Sequence, residues 1–198
     1  MTLSTFHAGP APVLPEGTPE AGFAIVAESA TDACRREMLL DRAMAPKWKK
    51  KSSQKLRRGR RPSPGLAFVA RSADGRIAGT VRLWDVAAGE GGPGALLLGP
   101  LAVDPTLKGA GLGSALMRHA LDEARRLGHR AILLVGDPAY YARFGFSAEK
   151  TAHLSMPGPY ERHRLLALEL VEGALEGAAG TLKATGRLVR ADSLRRVG

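Results

Sequence analysis

Apolar residues recur along this chain in two rhythms, and each change of rhythm marks a predicted element. Gly22–Glu28 (GFAIVAE) is a short apolar run that predicts a first strand. Ser29-Ala-Thr-Asp32 supplies a cap and a first-turn acid, so a helix is expected from Asp32 to about Met44. Pro46 interrupts it. A second, polar helix is expected within Lys47–Arg61, closed by Pro62-Ser-Pro64-Gly65. Leu66–Arg71 and Ile77–Val86 read as strands joined at Ala73-Asp74-Gly75-Arg76, where Asp-Gly accepts the positive φ of a hairpin turn.

After the Gly-rich stretch Ala87–Gly94, Ala95–Val103 is almost wholly apolar and predicts a central strand buried on both faces. Leu112, Ala115, Leu116, Ala120, Ala124 and Leu127 keep helical spacing, which predicts a helix from Gly111 to Leu127 ended by Gly128. Arg130–Val135 reads as another buried strand and Pro138–Phe144 as a short helix. Phe146 is expected to open a further short strand, and Arg164–Leu170 reads as the last one. From Val171 the chain is Gly/Ala-rich and then basic, without periodicity, and residues 171–198 read as a tail. Met1–Glu20, rich in Pro, Gly and Ala, reads as a flexible extension. The order β-α-α-β-β-β-α-β-α-β-β is met most simply by a sheet with helices on both faces.

A length of 198 residues with 44% hydrophobic side chains suits one domain that folds without disulfides or a structural metal. The single cysteine, Cys34, has no partner for a disulfide and no ligand neighbour; in the 32–44 helix it is expected as a small buried hydrophobe. No cleaved signal and no membrane span are expected, and a reducing cytoplasm is the natural compartment. Charge changes the picture more. Ten of the 29 Lys and Arg residues lie between Arg42 and Arg61, with no acid among them, so the remaining 19 equal the 19 acids. This is a neutral domain carrying one basic segment, unlike a uniformly basic nucleic-acid-binding domain.

The candidate chemistry centres on Leu101-Ala-Val-Asp-Pro105-Thr-Leu-Lys108-Gly-Ala-Gly111-Leu-Gly113-Ser-Ala-Leu116. A buried strand enters a three-glycine turn and then an amphipathic helix. N–H groups at that helix start have no intrahelical partner and carry the positive end of its dipole, which suits a pyrophosphate. The Gly-Lys-Ser/Thr ending of a Walker loop is missing, and a dinucleotide fingerprint belongs after a first strand, whereas this loop follows the fourth. A tight turn that binds nothing is the competing reading.

Val103-Asp-Pro105 followed by Lys108-Gly-Ala-Gly111-Leu-Gly113 resembles the acyl-CoA loop of the GNAT N-acetyltransferase superfamily, with Lys108 where Arg or Gln is usual. Tyr140-Tyr141-Ala-Arg143-Phe-Gly145-Phe146 resembles the same superfamily's downstream helix and turn, and Leu98-Gly-Pro-Leu101 through Gly136-Asp-Pro-Ala-Tyr-Tyr is most similar to its YhbS-like branch. The resemblance covers roughly Gly22 to Leu170. It implies an α/β (α+β) fold with a mixed, mostly antiparallel twisted sheet of six to seven strands and helices on both faces. It also implies acetyl-CoA as acyl donor, no metal, and direct attack of an amine on the thioester. Backbone groups of Leu101, Ala102 and Val103 are then expected on the pantetheine arm. Lys108, Gly109, Ala110, Gly111, Leu112, Gly113 and Ser114 are expected on the pyrophosphate. Tyr141 is expected as the acid that protonates the leaving thiolate.

Tyr140 is expected in the core, and Asp137 falls where many relatives have Asn. Asp85, Glu90 and His119 are possible bases, none of them compelling. The resemblance sets the first two helices beside the acceptor groove, so Arg42–Arg61 leaves an acidic acceptor open; the acceptor is a small-molecule or protein amine, and the chain a monomer or homodimer. Two rival classes stay open: a CoA-binding module without turnover, and a nucleic-acid binder that uses Arg42–Arg61 with Trp48 stacking on a base.

Overall fold

Two adjacent strands with no polar face decide the layering. In β4 (Gly94–Val103) and β5 (Ala131–Val135), Leu96, Leu98, Ile132 and Leu134 enter one core, while Ala95, Leu97, Ala131 and Leu133 enter a second. A sheet built on such strands must be covered on both sides. In the computed structural model, which describes residues 22–189, it is. The expected extension at 1–20 and the end of the tail, 190–198, lie outside the described residues.

Six strands lie in the order β1 (Phe23–Ala27), β2 (Ala67–Ser72), β3 (Ile77–Ala87), β4, β5, β7 (Leu165–Glu169), and β9 (Lys183–Ala184) adds to β3. Within this sheet only the β4–β5 pairing is parallel among the described residues. β6 (Leu154–Ser155) and β8 (Gly180–Thr181) form a separate ribbon. The sheet is therefore mixed and mostly antiparallel, as expected.

α3 (Leu112–Arg126) covers one face through Leu112, Leu116, Met117, Ala120, Leu121 and Ala124. Gly79 lets it approach closely, since a Cβ there would lie 2.7 Å from Leu116 Cδ1. Of the expected apolar stripe, Ala115 is half-buried and Leu127 exposed, and Met117 and Leu121 make the core contacts instead. α1 (Ala33–Met44) covers the other face, with Leu39 on Val69 and Ile77, and Leu40 on Trp48 and Ala102. Cys34 is exposed, contrary to expectation. It lies across the helix from Arg36, Leu39 and Leu40, which face inward.

Three further expectations change. The second helix, α2 (Ser53–Arg57), is only five residues long and buries Leu56 and Arg57, so it is not a wholly polar helix. Phe146 opens no strand: its ring is core, and Ser147 makes only an isolated bridge to Ala167. The segment from Val171 packs although it lacks periodicity. Ala174, Leu175, Ala178 and Leu182 are buried, and β9 pairs with Val86 and Ala87. Its burial runs through turns and small residues, which leave no repeat to detect. Among the described residues no helix is long and apolar enough to cross a membrane, and no cluster of metal-binding side chains occurs.

Ion pairs tie α1 to the sheet. Glu28, at the end of β1, accepts from both Arg36 of α1 and Arg82 of β3. Asp32 joins a capping box with Ser29, whose N and Oγ donate to Oδ2 at 2.9 and 2.8 Å, and Arg71 Nη2 donates to both carboxylate oxygens at 2.8 and 2.9 Å. Burial alone raises the Asp32 pKa; the hydrogen bonds from Arg71 and Ser29 outweigh it and bring the value down to about 2 from 3.8. A folded value below the unfolded one means that this stabilisation is complete above about pH 4 and is lost as pH falls toward 2. Asp32→Asn should therefore cost about 2 kcal/mol at neutral pH and flatten the decline between pH 4 and 2, as read by urea unfolding at each pH.

Candidate active site

The site begins with a fault in the middle of the sheet. Val81 of β3 pairs with Leu101 and Leu83 pairs with Leu98, so Gly99 and Pro100 together face Arg82 alone. This β-bulge explains how a central strand accommodates a proline, and it advances the side-chain alternation by one. Beyond it Leu101 and Val103 pack toward the α3 core, while Ala102 turns to Leu40 and Trp48. On its other edge β4 pairs with β5 only at Leu96 and Leu97. From Leu98 to Val103 that edge has no strand partner, and the two strands diverge around a cleft lined by Leu98, Gly99, Pro100, Leu101, Leu134 and Val135.

Past Val103, Asp104 turns the chain by accepting from the Thr106 N–H at 3.1 Å. Gly111 then caps α3 at φ 75°, a left-handed conformation that side chains resist, and makes no side-chain capping bond. Ala115 is the first α3 residue whose N–H is satisfied, by the Gly111 carbonyl at 3.0 Å. The N–H groups of Gly109, Gly111, Leu112, Gly113 and Ser114 have no acceptor among the described residues, whereas those of Lys108 and Ala110 donate to Pro105 and Leu107. An added Cβ at Gly109 or Gly111 would meet nothing within 4 Å, so the loop presents donors to open space. Lys108 stands exposed at its rim.

The opposite wall comes from α4 (Pro138–Tyr141), which Asp137 caps by accepting from the Ala139 N–H at 3.1 Å. Tyr141 lines the cleft, and its hydroxyl makes no hydrogen bond among the described residues. Burial, then Tyr140 and Asp137, push its pKa up to about 12, while Arg164 acts in the opposite direction. The phenol therefore keeps its proton across the neutral range. Gly136 makes room for the ring: a Cβ there would lie 2.1 Å from Tyr141 Cε2. Tyr140 is half-buried and not a core aromatic. Arg143 sits 4.2 Å from its ring centroid, and its hydroxyl would lie 3.2 Å from a Cβ on Gly113, so it leans on the start of α3.

Sequence comparison matches residues 32–146 to the Acetyltransferase (GNAT) family. The chain belongs to this family. N-acetyltransferase YhbS of Escherichia coli strain K12 is 30% identical over 118 residues, which are 60% of this chain and 71% of the relative. The crystal structure of Escherichia coli YhbS in complex with CoA superposes with a TM-score of 0.71 at 28% identity, over 91% of this chain and 96% of that one. A GNAT family acetyltransferase from Brucella melitensis in complex with acetyl-CoA gives a TM-score of 0.55 at 26% identity, over 75% and 96%.

Within this GNAT domain the cleft has a third wall, in the region where the resemblance set the border of the acceptor groove. Met44, Trp48, Lys51, Ser53 and Arg57 close it from the basic segment. Trp48 is buried and donates its indole N–H to Asp41 at 2.9 Å, so it is not placed to stack on a base. The three possible bases lie elsewhere. His119 packs edge-on against Phe68 with ring centroids 4.6 Å apart, Glu90 pairs with Lys183, and Asp85 lies outside the cleft on β3. Among the described residues no carboxylate or imidazole lines the cleft. Gly136→Ala should force Tyr141 out of its seat and cost about 1–3 kcal/mol by overpacking; denaturant unfolding checks the loss, and acetyl transfer should fall with it.

Proposed function

We propose that this GNAT acetyltransferase moves the acetyl group of acetyl-CoA onto a primary amine by direct attack on the thioester. One observation carries the reading: the unpaired edge of β4 leads from the cleft that Tyr141 lines to the unpaired N–H groups that open α3. Leu98 to Val103 spans roughly 17 Å of strand, suited to an extended pantetheine arm held between thioester and pyrophosphate. The complexes of its relatives with CoA and acetyl-CoA support the same ligand. Acetyl-CoA supplies the activated acyl group; everything else is the work of this chain.

Backbone groups of Leu101, Ala102 and Val103 bind the arm. A well-aimed N–H on this edge stabilises negative charge developing on the carbonyl oxygen, an effect of about 3 kcal/mol. Gly109, Gly111, Leu112, Gly113 and Ser114 donate to the pyrophosphate, with Lys108 adding charge; Ala110, its own N–H committed, shapes the turn. Tyr141 gives its proton to the departing thiolate and is reprotonated from water. The amine nitrogen loses its proton to solvent, because no base lines the cleft.

Two experiments test this. Acetyl-CoA or CoA at a hundred times Kd should stabilise the protein by about 2.7 kcal/mol, which raises Tm by roughly 5–10 °C. NAD and ATP should give no shift, and Gly111→Glu should abolish the response. No shift with either CoA species would leave the loop a structural turn. Tyr141→Phe should lower kcat by at least tenfold with unchanged acetyl-CoA affinity. Since the phenol titrates near pH 12, the wild-type rate should show no falling limb from Tyr141 below about pH 10. Tight CoA binding with no transfer to any amine would instead favour a CoA-binding module.

A further inference from the structure

Arg57 is the one buried charge in the described structure left without an acid. It is 7% exposed. Its Nε and Nη2 donate to the carbonyl and hydroxyl of Ser53 at 3.2 and 2.7 Å, within its own short helix. Nη1 is fully shielded and has no hydrogen-bond partner among the described residues. It faces β4 at the bulge, where an added Cβ on Gly99 would lie 3.9 Å away. Leu56, anchored in the second core, holds the helix in this orientation.

Arg57 does not act alone. Lys51 lines the same cleft from its rim, and its pKa is lowered by burial and then by the nearby charges of Arg164 and Arg57. The cleft thus gathers positive charge beside Tyr141 with no lining carboxylate to balance it. A buried guanidinium nitrogen with no acceptor is unfavourable, and such groups are rare in folded proteins. Because Arg57 lines this cleft, a ligand bound there is placed to supply the acceptor it lacks.

That ligand is not the phosphate end of CoA. On the proposed function, the phosphates lie at the start of α3, beyond Val103, and the end of β4 near Arg57 holds the uncharged thioester. The anion then belongs to the other substrate. We propose that the acetyl acceptor is a small amine carrying an anionic oxyacid group, and that Arg57 Nη1, with Lys51, binds that group while the amine faces the thioester. Purely cationic amines meet like charge in the same cleft and are rejected. This inference rests on the acetyl-transfer reading and adds the class of acceptor to it.

The test compares acetylation rates, followed by release of CoA thiol, for glycine, β-alanine and γ-aminobutyrate, their carboxamides, and the matching aminoalkylphosphonates. At least one acid should exceed its carboxamide in kcat/KM by tenfold or more; the phosphonates show whether carboxylate or phosphonate geometry is preferred. Arg57→Met, which removes an unpaired buried charge and keeps the volume, should retain the wild-type Tm and acetyl-CoA affinity. It should narrow the acid-to-amide ratio to within about threefold, with Arg57→Lys in between. As a readout independent of turnover, the N-acetylated acids in the presence of CoA should raise the Tm of the wild type and not of Arg57→Met. Carboxamides acetylated as well as acids, or a ratio unchanged in Arg57→Met, would overturn this inference and leave acetyl transfer standing. Failure of every panel member to react or to bind as its N-acetyl product, in a protein that still binds acetyl-CoA, would likewise overturn this inference, while the acetyl-transfer reading is decided by the cofactor titration and by transfer to other amines.

Discussion

The separation of β4 from β5 is the constraint on which the rest of this molecule depends. A central strand ordinarily spends both edges on neighbours, and an unpaired edge inside a protein is costly unless something else meets it. Here the two strands are pinned together at Leu96–Ile132, which enter one core, and at Leu97–Leu133, which enter the other, and diverge from there. The bulge at Gly99-Pro100 sits just after the pin and re-aims the remainder of β4. The free edge, the cleft at its near end and the donor-rich loop at its far end are consequences of that one divergence. Tyr141 belongs to it too, since the ring rests over Gly136, the residue that follows β5.

Charge is handled in two opposite ways on either side of this fault. Where α1 must be held to the sheet, buried charges are paired: Arg36 with Glu28, and Asp32 with Arg71. Those pairs span α1, its cap, β1 and β2, so they fix where α1 and the turn after it lie. That turn and α2 carry the cations that reach the cleft. Arg57 is buried to the same degree as Arg36, at 7% exposure, yet its only partners are groups of Ser53. The contrast identifies Arg57 as a side chain placed for a ligand, because the same fold satisfies comparable charges elsewhere.

The sequence made legible what has a period or a motif. The double-sided burial of β4 and β5, the hairpin between β2 and β3, α3 with its Gly111 entry and Gly128 exit, and the placement of Tyr141 beside a buried strand could all be read from residue spacing and the resemblance. What escaped had neither. The bulge is invisible because Gly99-Pro100 leaves the apolar run unbroken. Ala174, Leu175, Ala178 and Leu182 are buried through irregular backbone, so no periodicity announces them. Arg57 stands in a run of cations that composition shows only as one basic segment; the three-dimensional position of Leu56 turns it inward. Trp48 misled in the opposite sense, since an aromatic among lysines suggests a stacking platform while its indole is spent on Leu40, Ala102 and Asp41.

The cations of the cleft also bear on its acid–base chemistry. An amine attacks only as the free base, and positive charge nearby lowers an amine's pKa by penalising its ammonium form. Arg57 and Lys51 therefore favour the nucleophilic state of a bound acceptor without a dedicated base, and the acceptor's own anion recovers the binding energy that a neutral amine forgoes. Tyr141 answers to different groups: burial first, then Tyr140 and Asp137, push its pKa up to about 12, and Arg164 opposes them only in part, so its proton stays in place at neutral pH. A cleft with no carboxylate among its described walls thus favours the free amine and leaves Tyr141 protonated, so acceptor and proposed acid are each held in the state that acetyl transfer needs.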